Sequence, residues 1–211
     1  YAARCGKPRW GDQSGLIERF ADQVITAYPD ARILHLIRDP RDRHEAAAAR
    51  RGPLRPGTGG RSAASWLRSA RLARRNDARW PGNYRVVRYE TLVSRPEETM
   101  REVCSFLGED YDPAMLRVEA ARRYDHDRAR GGGSPISTSY IGRYRGRVSA
   151  ADLAFIQRVA GRLMDDFGYA LEPMPLSMTE RARLAVRWPV NLAGLEADRL
   201  RAGRYRSVTV P

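Results

Sequence analysis

Two short runs of apolar residues, at positions 31–37 and 84–88, constrain the fold more than any other feature of the sequence. Their length and their branched side chains predict strands that are buried within a sheet. A helix is expected after each run, because Asp39-Pro40 supplies an N-cap and a first-turn proline, and residues 97–107 follow Pro96. Strands that alternate with helices indicate an α/β fold with parallel strands.

Helical periodicity predicts three further helices, which begin near Ser14, at Ser62 or Ala63, and at Ser149. The segments 52–60 and 128–139 are rich in glycine, and we expect them to be mobile loops. Residues 57–62 are interpreted as a linker, because no apolar strand precedes them. Residues 1–173 then form the domain, and residues 174–211 form a basic tail with two short helices.

Composition limits the classes of function. Hydrophobic residues make up 42% and charged residues 30% of the chain, which is typical of a globular protein. The net charge of +13 favours an anionic ligand. Lys7 is the only lysine, so 37 of the 38 basic residues are arginines, and they are dispersed along the chain. Such a bias reflects base composition as much as function, so the charge supports anion binding in general and nucleic acid only weakly.

Cysteine and histidine are too sparse for a disulfide scaffold or a metal centre. The chain has two cysteines and three histidines, scattered along its length. Cys104 lies among apolar residues and is expected to pack in the core. We therefore predict neither a bound metal nor a structural disulfide.

The segment that follows the first predicted strand carries the strongest candidate site. Ligands of open α/β sheets bind at the carboxyl ends of strands, where helix N-termini offer free N–H groups to phosphate or sulfate. Arg38 would add a guanidinium that matches an oxyanion, with Arg41 nearby. A structural alternative stays open at this point, in which Asp39 caps the helix and pairs with Arg38 or Arg41.

Four sequence blocks occur in the order found in one enzyme family. They are residues 10–15 with 28–42, residues 88–93 with Pro96, residues 141–145, and residues 167–169. Together they resemble the sulfotransferases that use 3′-phosphoadenylyl sulfate. The resemblance implies a three-layer, mostly parallel sheet flanked by helices, similar to P-loop kinases. It also implies sulfuryl transfer from that donor to a hydroxyl of a carbohydrate, lipid or small molecule.

The resemblance implies roles for five positions in binding the donor. Arg38 corresponds to the arginine that binds the 3′-phosphate, and Ala46 stands where a serine usually shares that phosphate. Tyr89 matches a tyrosine beside the adenine, although core packing would also explain it. Arg143 and Arg145 lie where the family wraps a mobile segment over the 3′-phosphate, and a solvated basic loop is the alternative.

Asp12 is the candidate general base, because related enzymes carry an acidic residue or histidine at this point. Capping of the following helix is the alternative. Gln13 departs from the family, which has a lysine there. The family also begins with a strand and a glycine-rich loop for the 5′-phosphosulfate, which residues 1–9 do not supply. The sequence therefore predicts an N-terminally truncated domain that lacks its first strand-loop-helix unit, with a gap between the two predicted strands.

Other functions remain open at the level of sequence. The alternatives are an arginine-rich nucleic-acid-binding protein, a nucleotide or sugar kinase, and a non-catalytic protein of the sulfotransferase fold. The basic tail is expected to pack on the domain or on a second copy in a homodimer, with contact to an anionic membrane as the other interpretation. The absence of a signal segment predicts a cytoplasmic protein, and the isolated chain is expected to be poorly stable and inactive.

Overall fold

The computed structural model describes residues 3–51, 57–117 and 136–204. Within these ranges, helices flank a two-stranded parallel sheet, which confirms the predicted α/β class. The strands are β1 (Ile33–Ile37) and β2 (Tyr84–Arg88). The helices are α1 (Ala21–Ala27), α2 (Pro40–Arg51), α3 (Thr58–Arg79), α4 (Tyr89–Ser94), α5 (Pro96–Leu107), α6 (Ala150–Asp166) and α7 (Met178–Arg204).

The two strands are direct neighbours in the sheet. Ile33 pairs with Tyr84 and Ile37 pairs with Arg88, so the expected gap between the strands is wrong. Burial of β1 on both faces is also wrong. Side chains alternate along a strand, and here Ile33 and Ile37 are buried whereas Leu34 and Leu36 are 38% and 54% exposed. Only one face of β1 therefore packs against the core.

Two clusters of apolar side chains form the core on that buried face. Ile33 and Tyr84 pack with Ala21 and Ile25 of α1. Ile37 belongs to a larger cluster that joins α3, α6 and α7. Its members include Trp66, Leu67, Phe155, Ile156, Met164, Tyr169 and Leu195. The sheet thus rests on α1 and α3, while α6 and α7 complete the core behind α3.

Helix α3 begins at Thr58, earlier than predicted. Gly57 occupies its N-cap with φ of +78°, and Gly59 and Gly60 are buried in its first turn. A Cβ atom on Gly60 would lie 1.7 Å from the carbonyl oxygen of Asn191 in α7, so this helix crossing requires glycine. The interpretation of residues 57–62 as a linker is wrong, and residues 52–56 lie outside the described ranges.

The basic tail contains one helix instead of two short ones, and this helix, α7, continues through Pro189. It packs on the domain. Trp188 meets the ring of Phe155 edge-on at a centroid distance of 5.0 Å, and Leu195 is buried. Arg187 also forms an ion pair with Asp152 at 2.9 Å. None of the helices in the described part of the chain is long and apolar enough to cross a membrane.

The remaining local predictions have mixed outcomes. The Oγ atom of Ser149 accepts a hydrogen bond from the N–H of Asp152 at 3.2 Å, which confirms the predicted cap of α6. Cys104 is buried, as expected of a core residue. The helix predicted near Ser14 is instead a 3₁₀ turn, Ile17–Arg19, followed by α1. Of the loop predicted at 128–139, residues 128–135 lie outside the described ranges.

Candidate anion-binding site

The carboxyl ends of β1 and β2 lie side by side, which brings together the residues that follow them. Ile37 and Arg88 form the last pair of the sheet, so Arg38 and Tyr89 come next. The guanidinium carbon of Arg38 lies 4.6 Å from the centroid of the Tyr89 ring, in a cation–π contact. Burial raises the pKa of the Tyr89 hydroxyl, and the charge of Arg38 opposes that shift.

Arg38 is held by the backbone and keeps one unsatisfied donor. Its Nη2 atom donates to the carbonyl oxygen of Tyr140 at 2.6 Å, and its own carbonyl accepts from Trp66 Nε1 at 2.8 Å. The Nε atom of Arg38 is buried and has no hydrogen-bond partner among the described residues. No ion pair joins Arg38 to a carboxylate in those same ranges. A buried donor without an acceptor lowers the stability of the folded chain by about 1–3 kcal/mol. An oxyanion that accepts a hydrogen bond from Nε would remove this penalty.

The amino end of α2 is occupied by Asp39. The Asp39 carboxylate accepts from the backbone N–H of Arg41 at 2.8 Å and pairs with Arg41 Nη2 at 2.7 Å. Arg41 is buried and also donates to Gln157 Oε1 and to the carbonyl of Ala170. Burial disfavours the charged form of Arg41, but the hydrogen bonds to Asp39 and the negative charge of Asp39 outweigh it and raise the pKa of Arg41.

These contacts confirm the structural alternative for Asp39 and Arg41. The expected free helix N-terminus is therefore wrong, because a carboxylate already caps it. Any anion at this edge of the sheet must be bound by side chains. Asp39 pairs with Arg41 and not with Arg38, so Arg38 has no carboxylate partner among the described residues and is available to an anion.

A turn at residues 141–147 covers the start of α2. The buried carboxylate of Asp42 accepts from the backbone N–H groups of Gly142 at 2.7 Å and Tyr144 at 3.1 Å. Gly142 has φ of +72° and Gly146 has φ of +71°, conformations that favour glycine. Asp42 thus fixes the turn that carries Arg143 and Arg145 against α2.

Arg143 lies next to the Arg38 site. Its guanidinium carbon is 4.9 Å from the centroid of the Tyr140 ring, and the carbonyl of Tyr140 holds Arg38. The buried carboxylate of Glu45 is 3.6 Å from Arg143 Nη2 and 3.5 Å from Arg147 Nη1. These separations exceed normal hydrogen-bond lengths, so Arg143 is only loosely paired.

Arg145 is bound more firmly, and on the other side of the turn. It pairs with Glu172, and its Nε atom donates to Glu172 Oε1 at 2.9 Å. The Tyr144 hydroxyl donates to the same oxygen at 2.7 Å. Burial disfavours the charged form of Glu172, but the hydrogen bonds from Tyr144 and Arg145 outweigh it and lower the pKa of Glu172. The hydrogen bond to Glu172 raises the pKa of Arg145. The contacts of Arg145 therefore lead away from Arg38.

Glu90 is a site residue that sequence reasoning missed. Its Oε1 atom accepts from the backbone N–H of Asp39 at 2.9 Å, and its Oε2 atom accepts from the Tyr169 hydroxyl at 3.1 Å. Burial raises the pKa of Tyr169, and the Glu90 carboxylate acts in the same direction. Glu90 thus joins the ends of both strands to the segment after α6. The sequence signal for Glu90 is its position: a charged residue directly after Tyr89, at the end of a predicted strand, is a candidate site residue.

Two predicted site residues share no hydrogen bond or ion pair with Arg38 in the described part of the chain. Ala46 is half-buried in α2, directly after Glu45. Asp12 is exposed and accepts a hydrogen bond from the Ser14 hydroxyl. It does not cap the following 3₁₀ turn, whose N-cap residue, Leu16, makes no side-chain capping bond. The role of Asp12 as a general base stays a prediction.

The segment before Asp12 lies at the opposite end of the strands. Arg9 donates to the carbonyl of Leu107 at 2.7 Å, at the carboxyl end of α5. Arg32, directly before β1, bonds to the neighbouring carbonyl of Phe106. Residues 3–16 form a 3₁₀ turn, Ala3–Cys5, followed by irregular chain, and this segment does not form a glycine-rich phosphate cradle.

Comparison with known proteins decides the family. Residues 2–113 match the sequence model of the sulfotransferase family. The chain belongs to the sulfotransferase family. The matched range includes Asp12, Arg38, Ala46 and Tyr89, and the turn with Arg143 lies beyond it. The predicted membership is therefore confirmed.

Among solved structures, this sulfotransferase chain is similar to a sulfotransferase domain from the curacin biosynthetic pathway. The identity is 17% and the TM-score is 0.41, with 86% of this chain and 62% of the other covered. The chain thus spans 62% of the length of that domain. No curated protein matches. In the described ranges of the chain, no group of three or more His, Cys, Asp or Glu residues is arranged to hold a metal ion.

Proposed function

We propose that this sulfotransferase binds the 3′-phosphate of 3′-phosphoadenylyl sulfate through Arg38, for sulfuryl transfer to a hydroxyl group of a carbohydrate, lipid or small molecule. The buried Nε atom of Arg38, which has no acceptor among the described residues, is the observation that carries the proposal. A phosphate oxygen would satisfy this donor and would compensate the charge of the guanidinium. The residues present therefore fit a phosphate group.

Tyr89 and Arg143 support the same assignment. Tyr89 is half-buried and holds the guanidinium of Arg38 against its ring. Tyr89 therefore orients the arginine that would bind the phosphate, and its ring would also contact the adenine. Arg143 is loosely paired with Glu45, so it would turn to the phosphate at little cost. Arg145 would first have to leave Glu172, and we therefore assign it the smaller share of binding.

The chemistry of transfer requires a base as well as a binding site. The donor would supply the sulfuryl group. The acceptor oxygen would bond to sulfur as the bond between sulfur and the bridging phosphate oxygen breaks, and adenosine 3′,5′-bisphosphate would leave with the electron pair of that bond. Asp12 would take the proton of the acceptor hydroxyl, a role that an exposed carboxylate can fill. Residues 3–16 do not form a cradle for the 5′-phosphosulfate, so binding is best tested separately from turnover.

Calorimetric titration with adenosine 3′,5′-bisphosphate tests the proposal. We expect saturable binding by the 211-residue chain and a loss of about tenfold to hundredfold in affinity in Arg38→Ala. Arg74→Ala is the matched control, because Arg74 is exposed on α3 and pairs with Asp166. Adenosine 5′-monophosphate, which lacks the 3′-phosphate, should bind the wild-type chain and Arg38→Ala with equal affinity. Equal affinity of wild type and Arg38→Ala for the bisphosphate would contradict the proposal.

A further inference from the structure

A second cluster of arginines lies at the opposite end of the sheet from Arg38. Arg32 directly precedes β1, and Arg85 is the second residue of β2. Together with Arg101 of α5 they line a cleft of about 650 Å³. Cavities of this size accommodate small organic ligands.

Two of these arginines contact the aromatic ring of Phe106. The guanidinium carbons of Arg32 and Arg85 lie 5.8 Å and 5.1 Å from its centroid. Cation–π attraction offsets part of the repulsion between the two like charges. Within residues 3–51, 57–117 and 136–204, the side chain of Arg85 forms this ring contact but no hydrogen bond or ion pair. Its donors therefore remain available to a ligand.

The charges around the cleft are unbalanced. Arg32, Arg85 and Arg101 face one lining carboxylate, Glu102. Arg101 is partly neutralised by Glu97, whose Oε1 atom lies 2.7 Å from Arg101 Nη2. Cations that converge on a concave surface concentrate the positive potential there, and guanidinium groups match the oxygens of sulfate and phosphate esters.

We propose that this cleft binds a compact ligand that carries at least two sulfate or phosphate monoester groups. The site is separate from the one at Arg38. A strand rises about 3.3 Å per residue, so Arg32 and Arg38 are about 20 Å apart along β1. The assignment rests on the arginines of the cleft and does not depend on the proposed sulfuryl transfer.

Calorimetry with sucrose octasulfate and with inositol hexakisphosphate at fixed ionic strength tests this site in the full chain. We expect Arg85→Ala to weaken binding about tenfold, because a charged hydrogen-bond donor is lost. Arg85 is exposed, so its removal leaves the core intact. Glu102→Gln should tighten binding about threefold, because it removes the carboxylate from the lining.

The control for general charge attraction is the double substitution Arg71→Ala with Arg74→Ala. Both residues are exposed on α3, which packs on the other face of the sheet. The control should bind like wild type. The proposal is overturned if neither probe binds, or if the control weakens binding as much as Arg85→Ala. A loss of binding in Arg38→Ala but not in Arg85→Ala would also overturn it, since the polyanion would then occupy the other site.

Discussion

The guanidinium of Arg38 stacks on the ring of Tyr89, with 4.6 Å between the guanidinium carbon and the ring centroid. The contact follows from the parallel register of β1 and β2, whose last paired residues directly precede these two. Because neither side chain relies on a carboxylate partner within the described ranges, the pair offers a positive charge and a flat apolar surface together. This combination suits a phosphorylated nucleoside.

Tyr89→Leu should weaken binding of adenosine 3′,5′-bisphosphate about fivefold, because the cation–π contact that orients Arg38 is lost. Tyr89→Phe keeps the ring and should bind within about twofold of wild type. Calorimetric titration of both variants measures the difference. Equal losses in the two variants would mean that the hydroxyl, not the ring, matters.

Ala46→Ser should tighten binding of the same ligand by up to about tenfold, because it adds a hydroxyl donor eight positions after Arg38. Ala48→Ser is the control, since it places the same residue elsewhere in α2 at a similar cost in helix propensity. Affinities from calorimetry compare the two. The role assigned to position 46 is wrong if both variants bind like wild type.

Glu90→Gln should lower the free energy of unfolding by about 1–3 kcal/mol, because it replaces one of the two accepting carboxylate oxygens by an amide NH2 group, which cannot accept from Asp39 N–H or Tyr169 O–H. Urea denaturation measures the change. Glu98→Gln, at an exposed ion pair with Arg95, should change the unfolding free energy by less than about 1 kcal/mol. Equal effects of the two substitutions would show that Glu90 does not tie the strand ends together.

Acidification from pH 7 to pH 5 should destabilise the chain through His44. Its side chain is fully buried, and both ring nitrogens lack a hydrogen-bond partner in the described structure. Burial lowers its pKa, and the charge of Asp152 opposes the shift only in part. The unfolded chain therefore takes up a proton at a higher pH than the folded chain, and stability falls as pH drops through the unfolded pKa near 6.5.

Urea denaturation at the two pH values measures this effect. His44→Leu should reduce the loss of unfolding free energy between pH 7 and pH 5. His35 contributes a shift in the same direction, because burial lowers its pKa as well, so part of the loss should remain. An unchanged pH dependence in His44→Leu would contradict this account of His44.

Local sequence signals predicted the elements whose chemistry is local. Ser149 caps α6 through its own side chain, and the apolar neighbours of Cys104 indicated burial. The resemblance to the sulfotransferases assigned Arg38 and Tyr89 to one site, and the parallel register of β1 and β2 places the two side chains in contact.

The features that sequence reasoning missed depend on distant residues. Position 60 in the first turn of α3 requires glycine because α7 crosses it at Asn191, far along the chain, and no local pattern carries that information. Whether Asp39 binds Arg38 or Arg41 depends on Gln157 and the carbonyl of Ala170, which hold Arg41 in place. The exposure of Leu36 likewise depends on which helices cover the sheet.

Phosphorus NMR of adenosine 3′,5′-bisphosphate, with the protein in excess, tests the central claim most directly. The resonances of the two phosphates are resolved, so a contact to one of them can be assigned. We predict that wild type and Arg74→Ala shift the 3′-phosphate resonance, and that Arg38→Ala largely abolishes this shift. A 3′-phosphate shift in Arg38→Ala as large as in wild type would contradict the assignment of Arg38 to this phosphate.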